Sequence, residues 1–527
     1  MHGIKTLDRS CCQDAPSHRF DLEESVMIHP QTAHPTHGRR NAGRTGLLVL
    51  AVLTAMAFGS ACSSKKAPAK APNAADKAAK GNDKAAKEAP KAKGPWKKKV
   101  PIEIDKDFAR RARNKVKVPM ASPRKALERP RTPKELPTTP FDLMVRTLRG
   151  QVNTSFSALE RAPKSVAAHA FHGAKLLSLA KLEGDLSEID KASRIATDGL
   201  KLQPKSPQLL ALRIEANFSL HRWDTVAKDL AQLKAIKADH DMIAPMEAEL
   251  AWNRGDIKTA AAMFSKIARD APSMGSVARL AGALQTFGKL KEADQGFARA
   301  ETLYTNSSPV PLAWLYVQRG LLRLHSGRFK DARVFYQAAH ERAPGYPMAT
   351  EHLAEIEFLL GNTDRALELY KAVIKQTDNP EFHVAIAGVY DSLGKKKEAA
   401  EHMERAKARN LELMKKFPEA MSGHGADFFL EDGQDASIAL KLLSDAAKSR
   451  PNPESFQALA EAQLANDKLK EAQETIDKAL NSPLSIAEIY WTGARVAKAK
   501  GDQAKTEELK KKALALNPKI SVLEGDL

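Results

Sequence analysis

Small and bulky apolar residues recur about every 34 positions along the C-terminal two thirds of the chain. Turn-forming residues mark the period at Gly255, Gly288, Gly327, Gly361, Gly394, Asp467 and Gly501. A small residue precedes each turn by seven positions, at Ala248, Ala281, Gly320, Ala354, Ala387, Ala460 and Ala494. A bulky residue follows most turns by nine positions, at Phe264, Phe297, Tyr336, Tyr370, Met403 and Ile476. A period this long, with helical spacing inside it, predicts an array of two-helix repeats.

Each repeat must bury its apolar face against its neighbours, because two short helices cannot make a core alone. The small residue before the turn lets the two helix backbones approach, and the bulky residue fills the space beside them. Prolines fall sixteen to nineteen positions after several turns, where one unit should end and the next begin. They are Pro272, Pro344, Pro380, Pro483 and Pro518.

The unit that runs from Ala343-Pro344 through Gly361 to Tyr370 resembles the tetratricopeptide repeat, and the resemblance covers roughly residues 165–518. It implies an all-α fold, a right-handed superhelical solenoid of about ten repeats. Weaker units are predicted to turn at Gly184-Asp185, at His221–Asp224 and at Asp432–Gln434. We therefore assign the solenoid to residues 141–527.

Two stretches depart from the period. Extra residues near Thr305–Pro311 predict a longer connecting loop. The stretch Asn410–Gly425 predicts either an extended second helix or a local break in the superhelix.

The net charge of +19 is concentrated before the repeats. Residues 63–99 hold 12 Lys against 3 acidic residues, and residues 100–140 hold 11 basic against 5 acidic residues. Residues 141–527 are left nearly neutral at +3. The repeat array therefore lacks the basic surface that nucleic acid would require, and we predict no nucleic-acid partner.

Residues 62–140 are rich in Lys, Ala and Pro and have few large apolar side chains. Such a composition cannot offset the entropy of ordering, so we predict a disordered basic tether.

Residues 1–61 are typical of a presequence that ends in a secretory signal. The apolar run Gly46–Phe58 follows Arg39, Arg40 and Arg44 and is short for a membrane span. Gly59-Ser60-Ala61-Cys62 then resembles the lipobox of bacterial lipoproteins, although Gly59 stands where Leu is usual. The resemblance implies lipidation of Cys62. Ser63 follows it in place of the Asp that indicates inner-membrane retention in enterobacterial lipoproteins, which favours the periplasmic face of the outer membrane. Ordinary cleavage near Ala61 or an uncleaved anchor are the alternatives.

Acidic residues precede the signal, including Asp8, Asp14 and Asp21, which conflict with a basic signal start. Met27 is therefore a plausible true start. The chain has only Cys11, Cys12 and Cys62, so the mature chain would form no disulfide.

The sequence holds no phosphate-binding loop, no zinc-protease or paired-cysteine motif and no Gly-x-Ser-x-Gly. We predict no catalytic residues, no cofactor and no metal. A histidine-rich stretch at His18, His29, His34 and His37 lies in the segment predicted to be removed.

By resemblance to the family, ligand-facing positions fall three and six residues before each turn. The positions that we predict for a partner-binding groove are Glu249, Trp252, Gln285, Glu355, Phe358, Asp391, Glu461 and Arg495. One turn further back are Glu351, Glu381, Glu454 and Glu488. A protein or peptide with basic groups would suit this surface, and the tether around Lys91–Arg113 is one such segment in cis. Solvated acidic helix faces without any partner are the alternative.

These observations favour a lipid-anchored periplasmic scaffold that assembles or maintains a cell-envelope complex. The alternative is a cell-wall spacer whose basic tether binds an anionic envelope polymer.

Overall fold

The computed structural model describes residues 34–36, 46–48, 138–305, 308–430 and 435–527. In this part of the chain the fold is all-α apart from one short pair of strands. The helices are α1 Phe141–Arg161, α2 Val166–Glu183, α3 Leu186–Leu202, α4 Pro207–Ser219, α5 Trp223–Ala235, α6 His240–Asn253, α7 Ile257–Asp270, α8 Met274–Thr286, α9 Leu290–Thr302, α10 Pro309–Leu324, α11 Phe329–Arg342, α12 Pro347–Leu359, α13 Thr363–Ile374, α14 Pro380–Ser392, α15 Lys396–Lys416, α16 His424–Leu430, α17 Ala436–Ser449, α18 Pro453–Ala465, α19 Leu469–Leu480, α20 Ala487–Ala499, α21 Gln503–Leu516 and α22 Ile520–Glu524.

From α2 to α21 the helices form consecutive hairpins, as the period predicts, with α1 before the first hairpin and α22 after the last. The described turn residues adopt positive φ, from Gly184 at 72° to Gly501 at 79°, and His221 and Asp467 do so without being glycine. The next helix is often capped by an aspartate, as where Asp502 accepts a hydrogen bond from the Lys505 backbone N–H. No helix among the described residues is long and apolar enough to cross a membrane.

The close approach of the two helices within a repeat is clearest at Gly320. A Cβ placed on Gly320 would lie less than 3.0 Å from the ring of Tyr336, which is fully buried. The equivalent small residues Ala248, Ala281 and Ala354 are also fully buried. The predicted pairing of a small residue before the turn with a bulky residue after it is confirmed.

Successive turns of the superhelix lie in direct contact. A Cβ on Gly255 would lie less than 3.0 Å from the carbonyl oxygen of Pro451, 196 residues further along the chain. The Ser485 backbone N–H donates to the Thr286 carbonyl over 2.8 Å. One superhelical turn therefore spans about six repeats of 34 residues.

The same stacking recurs at both ends of the array. The Phe141 backbone N–H at the start of α1 donates to the Pro344 carbonyl over 2.9 Å. Near the C-terminus, the ammonium of Lys519 lies 4.4 Å from the ring centre of Phe329. These contacts join successive turns of the superhelix, so residues pack together between turns as well as between neighbouring repeats.

Both irregular stretches have a structural explanation. Helix α15 extends to Lys416, which confirms an extended second helix, and Phe417 packs with the core of the first repeats. The longer loop predicted for Thr305–Pro311 is only partly correct, since Pro309 and Pro311 lie in the first turn of α10. Proline is tolerated there because the first N–H groups of a helix have no intrahelical partner.

The turn predicted at residues 432–434 lies outside the described residues, and helices α16 and α17 flank it. Most of the predicted signal and tether also lies outside them. Within the signal segment, β2 (Gly46–Leu48) pairs antiparallel with β1 (His34–Thr36), a pairing that the sequence did not predict.

Candidate functional site: the inner face of the superhelix

The first helix of each hairpin forms the inner face of the superhelix. First helices of successive repeats contact one another, as α4 does with α2 and α12 with α14. Helix α10 is buried along its whole length, and α12 is buried from Met348 to Glu357. The inner face is therefore enclosed by the chain itself along these helices.

The predicted groove carboxylates already have partners within the chain. Glu249 lies 2.8 Å from the guanidinium of Arg279 in the next first helix, and the two side chains are only 4% and 10% exposed. Glu461 accepts hydrogen bonds from Thr492 at 2.7 Å and from Arg495 at 3.2 Å. Both pairs join one repeat to the next. These carboxylates therefore stabilise the stacking of repeats and do not form an acidic surface that could bind a basic peptide.

The earliest repeats continue this ladder of ion pairs. Lys181 and Glu215, 34 residues apart, lie 3.5 Å from each other with little exposure. Burial lowers the pKa of Lys181 to about 8 and raises that of Glu215, since desolvation disfavours both charges. The period thus places charged residues one above another along the inner face.

The predicted aromatic anchors belong to the core. Trp252 is 2% exposed and packs against Phe264 and Phe287, with ring centres 5.9 and 6.3 Å away. Phe358 is partly buried and packs against the same core. Because Trp252 has no exposed face, the prediction that it anchors a partner is wrong.

Two predicted positions remain closer to solvent. Gln285 is partly buried, and Asp391 at the end of α14 pairs with Lys396 across the turn at 2.5 Å. The structure therefore does not bring the eight predicted residues together as one groove.

A buried polar cluster occupies the inner face at α12. The imidazole Nδ1 of His352 lies 3.1 Å from Glu351 and 3.2 Å from Glu355, and all three residues are buried. Burial is the main cause that raises the pKa of both carboxyls to about 8. The negative charge of Glu381 in α14 raises the pKa of Glu351 further.

A second histidine links this cluster to the next superhelical turn. His325, at the end of α10, shares a 2.8 Å hydrogen bond through Nδ1 with Glu488 of α20. Glu381, Glu454 and Glu488, predicted as groove positions, are buried like Glu351. Sequence reasoning placed these residues on the inner face but missed that they are buried.

A buried carboxyl at the C-terminal cap gives a test of this closed interior. Glu524 is 2% exposed, and neither carboxyl oxygen has a partner among the described residues. Burial and then Glu488 raise its pKa well above the usual value of 4.5, although Arg495 opposes the shift.

The folded state binds the proton of the Glu524 carboxyl more tightly than the unfolded state does. The protonated carboxyl therefore contributes its full stabilisation below pH 4.5, and this contribution is lost as the pH rises through the folded pKa. The expected loss is up to about 1.4 kcal/mol per pH unit. Glu524→Gln should remove that slope and raise the free energy of unfolding at pH 7, as measured by urea denaturation from pH 4 to 8. The exposed control Glu474→Gln should follow the wild type, and an unchanged slope in Glu524→Gln would contradict the assignment.

The repeats resemble those of known proteins. Residues 323–387, from the end of α10 to α14, match the family model described as tetratricopeptide repeat. The chain therefore contains tetratricopeptide repeats. No curated protein matches the sequence.

Several solved tetratricopeptide-type structures are similar at low identity. The APC/C hetero-tetramer Cut9-Hcn1 is 15% identical over 67% of this chain and 76% of its own, with a TM-score of 0.33. A tetratricopeptide repeat protein from Parabacteroides merdae is 17% identical over 51% of this chain and 96% of its own, with a TM-score of 0.29. Yeast Tom70 is 15% identical over 71% of this chain and 92% of its own, with a TM-score of 0.30. At these scores the likenesses carry no argument about function.

Tetratricopeptide repeat proteins are generally non-enzymatic scaffolds that bind proteins or peptides, and the fold suggests that role for this chain. Because the inner face is closed, a partner would have to bind another surface of the superhelix. Among the described residues, large apolar side chains are exposed on other surfaces, including Leu143 and Phe156 of α1 at 47% and 45%.

Proposed function

We propose that this protein is a lipid-anchored scaffold of the bacterial cell envelope, which holds protein partners near the membrane through its tetratricopeptide repeats. The observation that carries the proposal is the order of features along the chain. Gly59-Ser60-Ala61-Cys62 follows an apolar run and precedes the basic segment 63–140 and the repeat array. Diacylation of Cys62 would anchor the chain stably, since each buried CH₂ contributes about 0.8 kcal/mol.

The partner surface in this proposal is the outside of the superhelix. Two of the inner carboxylates, Glu249 and Glu461, are already paired with Arg279 and Arg495, so a peptide that bound beside them would have to break these ion pairs. Helix α1 supports an outer site, because it directly follows the tether and exposes Leu143 and Phe156. A partner bound there would lie close to the membrane end of the chain.

The anchor is tested by Cys62→Ser in the full chain. We expect the wild type to incorporate labelled fatty acid and to sediment with membranes, and the variant to lose at least about 90% of both signals, because one thiol carries the anchor. The matched control Cys11→Ser should behave as the wild type, since Cys11 lies in the segment proposed to be removed. Fatty-acid labelling that persists in Cys62→Ser would overturn the proposal.

The partner surface is tested by cross-linking in intact cells. Phe156→Asp should reduce recovery of cross-linked partners at least about fivefold, because it places a charge in an apolar contact. Val334→Asp, on α11 and 50% exposed, is the control. Equal losses in both variants, or none, would contradict an α1 site. Retention of the protein by purified cell wall after deletion of the repeats would instead favour the spacer function.

A further inference from the structure

The cluster on α12 has the composition of a metal site. Glu351, His352 and Glu355 occupy positions i, i+1 and i+4 of one helix, and one ligand atom of each lies within 4.8 Å of the others. The side chains are 4%, 0% and 1% exposed. The three groups are therefore held together in the interior and are not spread over a solvated helix face.

The hydrogen bonding of the cluster is incomplete. A single imidazole nitrogen faces two carboxylates at 3.1 and 3.2 Å, and one N–H cannot satisfy both well. Glu355 Oε1 and His352 Nε2 have no hydrogen-bond partner among the described residues. No Lys or Arg of the described residues forms an ion pair with either carboxylate.

We propose that Glu351, His352 and Glu355 bind one Zn²⁺ ion inside the superhelix. Zinc takes imidazole nitrogen at about 2.0–2.1 Å and carboxylate oxygen at about 2.0–2.2 Å, so adjacent ligand atoms of one ion stand about 3.0–3.5 Å apart. The separations of 3.1 and 3.2 Å from His352 Nδ1 to the two carboxylates fall in that range. Water or a further carboxylate oxygen would complete four-coordination.

The donor set favours zinc over the hard cations. Mg²⁺ and Ca²⁺ prefer all-oxygen shells, whereas an imidazole with carboxylates suits Zn²⁺ and its neighbours among the transition metals. A divalent ion would also supply the positive charge that two buried carboxylates lack. Its role is structural, because it would stabilise the inner face where α12 meets α10 and α14.

The experiment measures zinc by mass spectrometry in the full-length protein purified from zinc-supplemented cells. We expect about one equivalent per chain in the wild type, and at least about a tenfold lower content in Glu355→Gln and His352→Gln. Removal of the ion by a chelator in mild denaturant should lower the melting temperature of the wild type. Added zinc should restore it on refolding.

Glu357→Gln is the matched control. Glu357 is on the same helix and equally buried, but it pairs with Arg333 at 2.7 Å and lies outside the ligand set. This variant should retain about one zinc. Circular dichroism checks that each variant is folded, and a folded wild type that holds less than about 0.1 equivalent of zinc and shows no thermal shift with added zinc would overturn the proposal.

Discussion

Gly255→Ala should destabilise the superhelix far more than an ordinary glycine substitution in a turn. Gly255 has φ of 80°, so any side chain adds strain of about 1–2 kcal/mol. The added Cβ would also collide with the backbone carbonyl of Pro451, which belongs to the next superhelical turn. Backbone cannot move as a flexible side chain can, so the collision adds about 1–3 kcal/mol and we expect a total loss of about 2–5 kcal/mol.

Gly361→Ala is the control for this prediction. Gly361 has φ of 85°, but a Cβ there would meet nothing within 4 Å. It should therefore cost only the strain of about 1–2 kcal/mol. Hydrogen exchange gives a local readout because unfolding of a repeat array need not be two-state. Gly255→Ala should raise exchange around residues 447–456 as well as around the turn, and equal effects of the two variants would show that the turns do not press on one another.

Arg319→Leu should be the most damaging change of a charged side chain. Arg319 is fully buried, donates to Glu301 at 3.0 Å and lies 4.4 Å from the ring centre of Phe335. Its removal breaks this ion pair and leaves the buried Glu301 carboxylate, which also accepts a hydrogen bond from Tyr316 at 2.9 Å, without the Arg319 guanidinium. Loss of one partner from a buried ion pair costs about 3–5 kcal/mol.

The comparison for Arg319 lies in the same repeat. Arg328 pairs with Asp331 at 2.6 Å, but the two side chains are 57% and 49% exposed. Arg328→Leu should therefore cost less than about 1 kcal/mol. Chemical denaturation of both variants tests the difference, and the double variant Arg319→Leu with Glu301→Gln should recover part of the loss because it removes the stranded charge. A small effect of Arg319→Leu would mean that water reaches this part of the interior.

The contact between superhelical turns also bears on how this protein could meet its partners. An open solenoid offers its inner face to a ligand, whereas here Gly255, Thr286 and Phe329 contact segments that lie 190–199 residues further along. Access to the inner face would require those contacts to separate. A partner at the outer surface has no such energetic cost, which is why the proposed function places it there.

The sequence by itself determined the repeat. The spacing of the turn residues fixed the hairpins from α2 to α21, because each turn needs a residue that tolerates positive φ and each close helix pair needs a small residue such as Gly320 or Ala354. It also located the irregular stretches and concentrated the basic charge before residue 141.

Only the tertiary structure decided what the inner face does. Local spacing places Trp252 and Glu249 on that face, but their burial depends on how tightly the superhelix is wound. Winding is the sum of small rotations over about six repeats, so it cannot be read from any one of them. Glu351, His352 and Glu355 are likewise buried in the folded superhelix, and their spacing along the sequence does not reveal that burial.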